Sequence, residues 1–157
     1  LVTDDCLVVD VAADRPCVVP MSSGLRLWPD SLQLVYPETP VTGTVAHYSR
    51  KRRVPIDLPG GPSLAPPASL GAIYLLSRTR DGRGRVLGRR VRGRDAFMAL
   101  LRCTFHLDVN RHATAARALD RVARLVARVP VYAVDCPAGL EFTPAVARLV
   151  ARSSAMR

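Results

Sequence analysis

The sequence predicts an α/β domain built on a mixed sheet flanked by helices. Three observations carry that expectation. Apolar runs of strand length alternate along the chain with amphipathic stretches of helical period. The 157 residues, 48% of them hydrophobic, are enough for one domain with a real core. Helix start signals stand where the period changes, as at Thr143-Pro144, with Thr at the cap and Pro in the first turn.

Taken in order, Leu7–Asp10 and Cys17–Val19 are short apolar strands joined by the turn-like Ala12-Ala13-Asp14-Arg15-Pro16, which predicts a hairpin. Leu25-Arg26-Leu27-Trp28 follows, with Trp28 expected in the core, and Pro29-Asp30-Ser31 opens a short helix carrying Leu32, Leu34 and Val35. Residues 37–67 lack sustained periodicity and are rich in proline, so an irregular loop excursion is expected there. Ala72-Ile73-Tyr74-Leu75-Leu76 is a near-continuous apolar run and predicts a central strand. Val86 to Val91 suggests an edge strand beyond a Gly- and Arg-rich turn. A helix capped by Asp95 is expected to run to about Phe105, and a second from Ala115 to Arg128, capped by Thr114 and stopped by Pro130. Val131–Asp135 reads as a strand, and the helix from Thr143 ends before a fraying tail at 153–157. The expectation is a single domain over 1–152.

Composition excludes several classes. No apolar run approaches the roughly 20 residues that span a bilayer, so no membrane partner is expected and the cytoplasm is the default location. The formal net charge is +10, yet only Lys51 among the basic residues is lysine, and the arginine excess accompanies abundant Ala, Val and Pro. That composition resembles the coding bias of a GC-rich genome, and nucleic acid is not the expected partner. Cys6, Cys17, Cys103 and Cys136 form no C-x-x-C pair and read as reduced, mostly buried thiols.

Few residue groups suggest chemistry. The tandem carboxylates Asp4-Asp5 stand before an apolar run. Adjacent acids at a strand end can serve magnesium binding or proton abstraction from a hydroxyl, although a polar turn accounts for them equally well. Asp10 fits the end of the following strand. No G-x-x-x-x-G-K-[ST] and no G-x-S-x-G occurs, and Pro59-Gly60-Gly61-Pro62 is a poor phosphate cradle because proline lacks the N–H that a cradle uses. The cluster Arg50-Lys51-Arg52-Arg53 could neutralise phosphate charge or simply form a solvated loop. Cys103 and His106 share a helical spacing, but a buried thiol and an ordinary imidazole explain them.

One resemblance joins these segments. Leu1-Val2-Thr3-Asp4-Asp5-Cys6-Leu7-Val8-Val9-Asp10 resembles the strand ending in paired aspartates in the HPr serine kinase/phosphorylase family. Leu25-Arg26-Leu27-Trp28-Pro29-Asp30-Ser31-Leu32, Lys51-Arg52-Arg53, Ala72–Leu76 and Asp95–Arg102 are similar, in the same order, to further segments of a bacterial HPr-kinase-like branch. The resemblance implies a P-loop kinase-like, phosphoenolpyruvate-carboxykinase-like core. It also implies ATP and Mg2+ as cofactors, and phosphoryl transfer to a serine of a phosphocarrier or another protein, in an enzyme that can be a homo-oligomer. Of Asp4 and Asp5, one carboxylate would take the hydroxyl proton and the other would hold the metal, while Lys51, Arg52 and Arg53 would meet the nucleotide phosphates. The Walker loop, which the family places one helix upstream of the paired aspartates, is not in the sequence. The expectation is therefore an N-terminally truncated, incomplete core, inactive as this fragment. The alternative is a non-catalytic basic module that binds an acidic or phosphorylated protein partner.

Overall fold

The first apolar run closes on itself as expected. In the computed structural model of the chain, β1 (Val8–Asp10) pairs antiparallel with β2 (Cys17–Val19), with Val9 opposite Val18. The structure describes residues 6–19, 25–38, 42–54, 66–79, 84–105 and 112–155. Asp4 and Asp5 lie outside the described residues, as does His106. The chain divides into two compact units. One holds residues 1–10 and 17–68, the other 11–16 and 69–157.

In the first unit, β3 (Leu25–Leu27) leads directly into helix α1 (Pro29–Val35), whose first turn holds Pro29 and Asp30, residues suited to a helix start. The expected irregular loop over 37–67 is corrected here. It contains a hairpin, β4 (Thr42–Ala46) and β5 (Ser49–Val54), turned at His47-Tyr48. Strand β5 is central, with β3 on one side and β4 on the other. The β4–β5 register slips between Thr42 and Thr44, where Gly43 takes φ +60°. A left-handed glycine with open space around it suits the extra residue of a β-bulge. Helix α1 packs on β5, where Val54 (2% exposed) and Leu32 (7%) form the buried contact layer. A two-residue strand, β6 (Ala68–Ser69), closes the sheet order β1-β2-β6.

The second unit is built on the mixed sheet that the sequence predicts, but with a different centre. Strand β7 (Ile73–Arg78) runs parallel to β9 (Val131–Cys136), and β8 (Leu87–Val91) runs antiparallel to it, in the order β7-β9-β8. The apolar run at Ala72–Leu76 is therefore an edge strand, and Leu76 is 67% exposed. Residues of alternating parity along β9 face opposite ways. Val131 and Ala133, with Ile73, Leu75 and Val91, meet the helices α2 (Gly93–Cys103) and α3 (His112–Arg128) through Ala96, Phe97, Leu100, Val122 and Leu125. Ala96 is fully buried, so the helix can approach the sheet closely only with a methyl there.

The opposite parity points to the other side of the sheet. There Tyr74 stacks on Tyr132, ring centres 5.2 Å apart, and Val134 is fully buried. Helix α4 (Thr143–Ala155), entered through a 3-10 turn at Leu140–Phe142, lays Leu149 over Gly88. A Cβ at residue 88 would sit 2.7 Å from Leu149 Cδ1, so glycine is what lets helix and strand meet. Gly88→Val should therefore cost about 1–3 kcal/mol, the usual cost of overpacking, read as a lower denaturant midpoint. An unchanged midpoint would mean that α4 is not seated there.

Boundary details differ from expectation for local reasons. Helix α2 begins at Gly93 with Arg92 at its cap and no side-chain cap bond, so Asp95 sits in the first turn instead, where a carboxylate favours the helix dipole. Thr114 lies inside α3 rather than at its start, and α4 continues through Ala155 instead of fraying from Ser153. Arg128, at the end of α3, donates to the carbonyls of Val11 and Ala13 (3.1 and 2.9 Å), which ties the 11–16 link into the second unit. Cys6 and Cys103 are exposed and Cys17 and Cys136 half-buried, so the expectation of mostly buried thiols does not hold. No helix among the described residues is long and apolar enough to cross a membrane.

Candidate functional site

Strand alternation splits the basic cluster. Along Lys51–Val54 of β5, Lys51 and Arg53 point one way and Arg52 and Val54 the other, while Arg50 lies where the β4–β5 register slips again, between Thr44 and Ala46. The register places Leu25 opposite Val54, Arg26 opposite Arg53 and Leu27 opposite Arg52. Paired residues share a face, so Leu25, Leu27, Arg52 and Val54 lie together on the side whose Val54 is buried. Arg26, Lys51 and Arg53 lie on the other side. Trp28 continues the parity of Arg26 and joins them: Lys51 Nζ stands 5.7 Å from its ring centre. Trp28 is 51% exposed, so its expected place in the core is corrected.

The first unit thus presents a cationic sheet face with an indole at its edge. Arg52, expected beside Lys51 and Arg53 at the phosphates, sits half-buried on the opposite face. Arg26, which the sequence reading did not single out, takes its place. Its cue was available: Leu25-Arg26-Leu27 alternates as a strand does, with one charged residue turned away from two apolar ones. Three donors of this kind can neutralise phosphate oxygens, with the guanidiniums offering paired N–H contacts.

The carboxylates assigned to magnesium by the resemblance, Asp4 and Asp5, lie outside the described residues. Among the described residues no group of three His, Cys, Asp or Glu side chains could hold a metal ion. Ser77 donates a hydrogen bond to the Asp135 carboxylate across the parallel pair β7 and β9, so these two polar groups satisfy each other at the strands' carboxyl ends.

A second site was not expected. Between β8 and α4 in the second unit lies a groove of about 620 Å³. Arg85 and Arg90 enter it from the strand side, Arg148 and Arg152 from the helix, and Leu87, Tyr132 and Leu149 supply apolar wall. No acid is among its described lining residues. The helix contribution is a single stripe, Ala145, Arg148, Leu149 and Arg152, at the i, i+3, i+4, i+7 spacing of one face. The sequence signal was the Arg148/Arg152 pair: like charges four apart on a helix repel and cost a few tenths of a kcal/mol. Nothing in the sequence brought β8 to them.

No family model, no curated protein and no solved structure matches the chain.

Proposed function

We propose that the chain is part of an ATP-dependent, HPr-kinase-like serine kinase domain, in which the cationic sheet face of the first unit neutralises nucleotide phosphates. One observation carries the reading. The two segments that resemble the family's "LRLWPD" and "KR" elements are separated by some twenty residues of sequence, yet they pair as the neighbouring strands β3 and β5, and Lys51 lies over Trp28. Segments matched independently by resemblance thus build one surface, and that surface carries the charge that phosphoryl transfer requires. Arg26 and Arg53 suit phosphate oxygens, and Lys51 suits a point charge. Asp4 and Asp5 would supply the carboxylates, one toward the serine hydroxyl and one to hold Mg2+, which would supply neutralisation of phosphate charge.

The test uses the complete gene product with MgATP and a serine-bearing protein. Asp4→Asn and Asp5→Asn should each lower phosphoryl transfer by at least about a hundredfold, since each removes a group that acts on the reacting atoms. Transfer at the unsubstituted rate in both variants would remove these acids from the chemistry.

The alternative is a non-catalytic basic module that docks an acidic or phosphorylated protein. It is favoured by the same face, which carries Arg26, Lys51 and Arg53. It differs in needing no ATP, and its binding would fall steeply with salt.

A further inference from the structure

We propose that the groove between β8 and α4 binds an organic phosphate: a small molecule that carries a phosphate group on an apolar or planar body. The proposal does not rest on the phosphoryl-transfer reading, because its residues all belong to the second unit.

Four arginines line one groove, and no carboxylate is among its described lining residues. Elsewhere the chain does pair its arginines locally: on α3, Arg124 meets Asp120 at 2.9 Å, one helical turn away. On α4 the residue one turn from Arg148 is instead Arg152. The repulsion between Arg148 and Arg152, and between them and the strand's Arg90, is offset once an anion sits among them. Phosphate is the anion that planar, forked guanidiniums match best.

The groove also rules on what the phosphate is attached to. Its volume falls within the range of sites for whole small ligands, and is far larger than an inorganic phosphate needs. Its wall is apolar and rigid where the arginines end. Tyr132 is fixed by its stack on Tyr74, and Leu149 is held against Gly88. An apolar or aromatic body displaces water from Leu87, Tyr132 and Leu149 while the phosphate takes the arginines.

Isothermal titration of the chain with adenosine monophosphate and with inorganic phosphate, both without magnesium, tests this. The nucleotide should bind with a Kd at or below about 1 mM, and at least about tenfold more tightly than inorganic phosphate. Arg148→Gln/Arg152→Gln should weaken nucleotide binding by at least about tenfold, and Arg90→Gln should weaken it in the same sense. All three side chains are exposed, so folding should survive, with circular dichroism as the check. Arg121→Gln, at an exposed position of α3 outside the groove, should leave this binding unchanged. Absence of nucleotide binding overturns the proposal. So does equal binding of the two probes, binding indifferent to the groove substitutions, or binding lost equally with the α3 variant.

Discussion

Val134→Asp should unfold the second unit while leaving the first unit's fluorescence signal in place. Val134 has no exposed surface and lies on the central strand β9, with Leu76 and Gly88 as its neighbours in register. A carboxylate there loses its water and gains no cation on either neighbouring strand position. An uncompensated buried charge costs about 3–5 kcal/mol, and the lost valine contacts add about 1.5–3 kcal/mol. Whole domains are stable by only about 5–15 kcal/mol, and a unit of this size stands at the low end. The readouts separate cleanly. The chain has one tryptophan, Trp28, and it belongs to the first unit. The stacked Tyr74 and Tyr132 belong to the second. Near-ultraviolet dichroism from the stacked Tyr74 and Tyr132 should be lost in the variant, the contribution of Tyr36 and Tyr48 in the first unit remaining, and the emission of Trp28 should persist. Val134→Ala, which removes the contacts without adding charge, should lower the midpoint without unfolding the unit. A wild-type midpoint in the aspartate variant would remove β9 from the buried centre of the sheet.

The elements that sequence reading located are those whose side chains must satisfy a buried face. The helix around Val122 repeats apolar residues at the helical period, and the β1–β2 hairpin and the strand at Val131 are short apolar runs of strand length. The β4–β5 hairpin shows neither pattern. Lys51 and Arg53 face away from the helix-covered side, and Arg52 breaks the apolar parity on that side, so no period of two survives in Ser49-Arg50-Lys51-Arg52-Arg53. Proline-rich flanks then made the stretch read as a loop. The choice of central strand failed for a different reason. Apolar content measures burial on average, whereas position in a sheet depends on pairing. Ala72–Leu76 is more apolar than β8, yet both are edges of β9, and the outer end of β7 is exposed. Of the candidate residues on the first unit's face, Lys51 and Arg53 stand out in the sequence as a charge run, whereas the place of Arg52 on the other face and of Arg26 beside Arg53 depends on the pairing of β3 with β5. The groove in the second unit draws its arginines from positions about 60 residues apart, and no local pattern links β8 to α4.

Reversing the charge of the first-unit face should separate its two roles. In Lys51→Glu/Arg53→Glu, the fold should hold and MgATP affinity of the complete gene product should fall by about a hundredfold. The stability terms nearly cancel. Glu at residue 51 loses the cation over Trp28, worth about 0.5–1 kcal/mol at an exposed site. Glu at residue 53 stands directly opposite Arg26, so a like-charge cross-strand pair becomes an opposite-charge pair, a gain of about 0.2–1 kcal/mol. The melting temperature should therefore move by no more than a few degrees. Binding has no such compensation. Each substitution removes an attractive charge and installs a repulsive one against the same phosphates. Even with surface screening, a loss of about 1.4 kcal/mol per site is tenfold, and two sites give about a hundredfold. The gap should narrow at high salt, because screening weakens the wild-type attraction and the variant's repulsion alike. Arg53→Glu alone should keep the fold and bind nucleotide less well. Unchanged affinity in the folded double variant would take the nucleotide away from this face and leave the acidic-partner reading to be measured in its place.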